Sequence, residues 1–205
     1  GELLDEHGGQ PQLLLIGWVE QLLPIAMDTS DALLQQAWRL QQAGQHVDAA
    51  RLYGEILRGS PRNFDALFQL GNIYFASRHL TDAERLYAQA AQVNSQSAEL
   101  FYNRGCALQS LARHEEALAA FAHALAIRPD FTEARNNRGV TLLALKRHKE
   151  ALACFDRVLA DKPSLATVHN NRATALLGLL RRDEALAAAD RALRENPQDA
   201  HALYN

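Results

Sequence analysis

Six carboxamides share one spacing. Gln35, Gln69, Asn103, Asn137, Asn171 and Asn205 follow one another at intervals of 34 residues. A carboxamide carries two N–H donors and an acceptor, the complement of an exposed peptide backbone. A column of them suits an extended peptide and makes little demand on that peptide's sequence. The same side chains also suit a bond across to an adjacent structural unit, because buried amides are usually satisfied internally. Both roles can hold at once. Asn72, Asn136 and Asn170 widen the amide patch, and Arg135 and His169 stand where earlier units have the apolar Leu67 and Phe101. The patch is therefore more polar over residues 135–172 than at its start. These residues form the candidate binding site, and its expected ligand is a segment of another protein or a peptide.

Other chemistry on the same spacing points away from catalysis. Asp31, Asp65, Glu99, Glu133 and then Thr167 precede the amides by four residues. Acidic residues there complement the dipole of a helix start; acting on a ligand, they would favour a basic segment. Arg104, Arg138 and Arg172 follow the asparagines. Their stems can cover core, and their guanidinium groups suit carboxylate or phosphate. His46, His114 and His148 recur in turns. Successive units would separate them by about 10 Å or more, too far for one metal ion. Cys106 and Cys154 lack the close-spaced thiol or histidine partners of a zinc site. No glycine-rich phosphate loop, His-Glu-x-x-His or nucleophile elbow occurs. The expectation is no active site, no cofactor and no metal.

Composition agrees. The 205 residues are 48% hydrophobic and 22% charged, with a formal charge of −3. That is the profile of a folded chain with no net positive field for nucleic acid. The acidic start lacks the positive region of a secretory signal. The most apolar run, Leu13 to Met27, is broken by Gly17, Glu20, Gln21 and Pro24, so it falls short of the about 20 apolar residues of a membrane span. Two isolated cysteines fit a reducing compartment, and a cytoplasmic location is expected.

The elements that must position these residues follow from the same period. Ala49, Ala83, Ala117, Ala151 and Ala185 form one ladder; Pro61, Pro129, Pro163 and Pro197 form another, with Ser95 on the missing rung. Small residues recur at Ala37, Gly71, Gly105, Gly139 and Ala173, and aromatics at Tyr53, Tyr87, Phe121 and Phe155. Within residues 98–131, Phe101, Leu108 and Leu111 give Glu99 to Leu111 a helical apolar stripe. Gly105 inside that helix costs roughly 1 kcal/mol against alanine, which implies close approach by another backbone. The expected facing surface is Ala117, on a second helix from Glu115 to Ile127. Arg128 before Pro129 ends that helix, because the residue before proline is pushed out of helical geometry. First helices are expected near residues 31–43, 65–77, 99–111, 133–145 and 167–179.

These ladders resemble the tetratricopeptide repeat family over residues 30–199. The resemblance implies an all-α, right-handed superhelical solenoid of paired antiparallel helices, with each first helix and its amide on the concave side. The expected units are 30–63, 64–97, 98–131, 132–165 and 166–199. Neighbouring units complete one another's cores. The family's carboxylate-clamp subset needs lysines where Asp31, Asp65, Glu99 and Glu133 stand, so it is disfavoured. The resemblance implies a non-catalytic scaffold with a peptide groove. The opening Leu34 to Gln45 and the amide ladder are also similar to the repeats before glycosyltransferase domains of the O-linked N-acetylglucosamine transferase type. On that alternative the chain is the substrate-recognising arm of a larger enzyme. Residues 1–29 leave the ladder and are expected to form a capping or dimerisation helix. Residues 200–205 restart the motif as a sixth, truncated unit. Either end offers a surface for homo-oligomers.

Overall fold

The computed structural model describes residues 30–196, and every regular element among them is an α-helix. The helix expected over Gln12 to Leu23 and the restart at residues 200–205 lie outside the described residues. The chain divides into two compact units, one ending at Ala66 and the other beginning at Leu67. In the first, α1 spans residues 30–42 and α2 is His46–Gly59. Ala37 and Ala49 are fully buried there, and Tyr53 Oη donates to Gln41 Oε1 at 3.0 Å.

The remaining helices are α3 (Phe64–Ala76), α4 (Leu80–Val93), α5 (Ala98–Ser110), α6 (His114–Ile127), α7 (Thr132–Ala144), α8 (His148–Asp161), α9 (Ala166–Gly178) and α10 (Arg182–Glu195). In the second unit, α5 packs on α6, α7 on α8 and α9 on α10; α4, α6 and α8 also pack on the helix that follows each of them. Helices α3, α5, α7 and α9 each begin one residue ahead of the ladder-based span. At α5 the cause is visible: Ser97 Oγ accepts the N–H of Leu100 and caps the helix at Ala98.

The alanine and aromatic ladders are the core. Ala83, Ala117 and Ala151 are fully buried, as are Tyr87, Phe121 and Phe155. The expectation that Gly105 faces Ala117 is corrected. A Cβ on Gly105 would lie 2.6 Å from Cε1 of Phe121, and the same clash recurs between Gly71 and Tyr87 and between Gly139 and Phe155. The small-residue ladder therefore makes room for an aromatic ring on the partner helix, not for a second backbone.

Each first helix ends on one left-handed residue: Arg78, Ala112, Lys146 and Leu180 have φ of 65, 57, 58 and 61°. The next residue's N–H reaches five residues back, as from Arg113 to the carbonyl of Leu108 at 2.9 Å. That bond satisfies a carbonyl which the helix end leaves without a partner. This turn reverses the chain and sets the second helix against the first.

Candidate functional site

The amides sit on α3, α5, α7 and α9 and bond from one first helix to another. Asn103 Nδ2 donates to Asn72 Oδ1 at 2.9 Å, and Tyr87 Oη donates to the same oxygen at 2.8 Å. Asn72 Nδ2 in turn donates to Gln69 Oε1 at 3.2 Å. Further along, Asn137 Nδ2 lies 3.3 Å from Tyr102 Oη and 3.5 Å from Cys106 Sγ. Asn136 Nδ2 donates to Asn137 Oδ1 at 3.4 Å, and Asn171 Nδ2 donates to Asn136 Oδ1 at 3.2 Å. All these amides are half-buried. The Oδ1 atoms of Asn103 and Asn171 accept no hydrogen bond from the described residues. The amide group is thus oriented through its NH₂ while its acceptor is kept available. Asn170 differs, because its Oδ1 is buried without a partner.

Three candidates stand apart from this network. Gln35 is exposed on α1 in the other unit. Arg135 donates through Nη2 to the carbonyl of Pro129, and a ring nitrogen of His169 lies 2.8 Å from the carbonyl of Pro163. Both latch onto the turn six residues earlier. The tyrosine hydroxyls and the Cys106 thiol are members of the network that amide spacing alone did not reveal. The signal for the first of them was the hydroxyl that Tyr87 carries on the aromatic ladder.

Electrostatics in the network are neutral. Burial, then the charge that Cys106 would carry, pushes Tyr102 up to about 12. Burial pushes the Cys106 thiol up as well, against hydrogen bonds from Asn137 and Tyr102. A protonated thiol is a poor nucleophile. The acidic row lies in first helical turns at Asp65, Glu99 and Glu133, where the helix dipole favours it. Glu99 also pairs with Arg128 at 2.7 Å. His148 packs its ring under Gly178. Among the described residues no cluster of three or more His, Cys, Asp or Glu side chains could hold a metal ion, and no helix is long and apolar enough to cross a membrane.

Comparison with known proteins fits this architecture. Two family models described as tetratricopeptide repeat match residues 40–102 and residues 102–166 with 170–205. No curated protein matches the sequence. Among solved structures, YrrB, described as a TPR protein with an unusual peptide-binding site, superposes with a TM-score of 0.80 at 24% identity, over 89% of this chain and 95% of that one. MamA gives 0.76 at 23% identity, over 80% and 96%. The pilF protein of Pseudomonas aeruginosa gives 0.71 at 22% identity, over 86% and 80%.

Proposed function

We propose that this chain, which belongs to the tetratricopeptide repeat family, is a non-catalytic scaffold that holds an extended segment of another protein along its first helices. The observation that carries this is the pair of amides Asn103 and Asn171. Each is oriented by a bond to another first helix and keeps an acceptor oxygen uncommitted. Asn137 stands between them on the same rung, held near Tyr102 and Cys106. Two fixed acceptors, two repeats apart, suit N–H groups along an extended backbone, and pre-orientation lowers the entropy lost on binding. The peptide-binding site of YrrB, a protein of similar fold, supports the reading.

The test is the variant Asn103→Ala/Asn137→Ala/Asn171→Ala against an array of extended peptides. Each bond contributes about 0.5–1.5 kcal/mol net, so the triple variant should bind any peptide captured by the parent about tenfold or more weakly. Its helical circular dichroism should be retained. Unchanged capture by a folded variant would move the site elsewhere.

A further inference from the structure

Three arginines stand one repeat apart, and two of them carry a carboxylate. Arg104 donates through Nε and Nη2 to Glu84 Oε1 at 3.1 and 2.9 Å. Arg172 donates through Nε to Asp156 Oδ1 at 2.6 Å. In both cases the acid comes from the second helix of the preceding repeat, α4 or α8. For Arg138 the preceding second helix is α6, and the corresponding positions hold Leu118 and Ala122. Arg138 meets only the thiol of Cys154, Nη1 to Sγ at 3.8 Å. Its Nε, the atom that binds the acid in both siblings, is buried with no acceptor.

A guanidinium stays charged throughout the ordinary pH range, and sulfur is a weak acceptor, so Arg138 lacks the compensation its siblings have. Nearby groups do not supply it. Glu150 senses the charge of Arg138, but its two oxygens bond Arg147, at 2.7 and 2.8 Å, and neither bonds Arg138. Arg135 adds a second positive charge that acts on Cys154. The siblings keep about a quarter of their side-chain surface exposed even when paired, 27% for Arg104 and 26% for Arg172. Arg138 is itself half-buried, so part of its side chain meets solvent, and the exposed Ala122 holds on α6 the position that Asp156 holds on α8.

We propose that Arg138 is a receiving site for a carboxylate on an acidic segment of a partner protein, which takes the place that Asp156 holds at Arg172. The siblings define the ligand: a carboxylate on the guanidinium. Leu118 and Ala122 leave the preceding helix without an acid of its own, so the acid comes from another chain. This surface is separate from the amide network, and the amide triple variant should keep it.

An oligoglutamate peptide is the probe, with oligolysine and inorganic phosphate as comparisons. The readout is the ¹⁵N–¹H signal of Arg138 Nε, assigned by its loss in Arg138→Gln. Oligoglutamate should shift that signal, and Arg138→Gln should bind the peptide at least about fivefold more weakly, as expected for a charge-assisted hydrogen bond. Arg138→Lys keeps the charge without the fork and should also bind more weakly. Ala122→Asp supplies the acid internally, so its signal should be shifted already and should no longer respond. An Nε signal that ignores oligoglutamate overturns the proposal, as does equal binding by the parent and a folded Arg138→Gln. A response to phosphate at lower concentration than to oligoglutamate replaces the carboxylate with a phosphoryl ligand and overturns it equally.

Discussion

Gly105 lies inside α5, and a Cβ there would meet the ring of Phe121 on α6. A glycine inside a helix signals close approach, but the signal does not say by what. The ring of Phe121 fills that space, with Cε1, Cδ1 and Cζ all under 3.0 Å from where a Cβ would stand. Phe121 is fully buried, so its ring has nowhere to swing. Gly105→Ala gains about 1 kcal/mol of helix propensity and meets overpacking of about 1–3 kcal/mol. Crowding by three ring atoms at once places the cost at the upper end, so a net loss of about 1–2 kcal/mol is expected in urea melts. Adding Phe121→Leu should make the alanine less harmful than it is beside the ring. A midpoint unchanged by Gly105→Ala would show that the helices simply part. The amides teach a similar lesson. Their spacing made them visible as a set, whereas the Tyr102 hydroxyl and the Cys106 thiol beside Asn137 carry no period of their own.

Helices and their pairing were legible because the alanine, proline, small-residue and aromatic ladders shared one period, and each answers to a distinct packing need. The turn between paired helices was less so. Its left-handed position holds Gly44 once and then Arg78, Ala112, Lys146 and Leu180, so residue type gives no warning of the backbone state. An L-residue there costs about 1–2 kcal/mol, and glycine returns part of that gain as unfolded-state entropy. Ala112 is exposed and its side chain adds no core. Ala112→Gly should therefore stabilise the protein by about 0.5–1 kcal/mol, read as a raised midpoint in thermal or urea unfolding. A loss of stability would mean that the turn's strain is relieved by contacts of the Ala112 methyl. Ion pairs across the same turns reinforce the order of the repeats. Arg113, just ahead of α6, holds Glu116 of that helix at 2.7 Å and Glu84 of α4 at 3.3 Å, and Arg147, just ahead of α8, pairs likewise with Glu150 of α8 and Glu115 of α6.

For the molecule as a stack, stability depends on how many neighbours each hairpin has. Leu118 and Leu152 occupy the same rung on α6 and α8, and each is 7% exposed; Leu186, their counterpart on α10, is 65% exposed. Leu177 beside it is 57% exposed. With Asn170 they line a cleft of about 310 Å³. The amide follows the same logic: Asn136 Oδ1 accepts from Asn171, while Asn170 Oδ1, one repeat on, is buried without a partner. A leucine covered by the next repeat should cost about 2–5 kcal/mol when cut to alanine, whereas an uncovered one should cost within about 0.5 kcal/mol. Leu152→Ala and Leu186→Ala form the matched pair, compared by urea unfolding at several protein concentrations. A large cost at residue 152 and almost none at 186 is the expected result. Equal costs would show that another surface covers the α9–α10 face. If the midpoint then rises with protein concentration, that surface belongs to a second copy; if it does not, the covering group comes from the same chain.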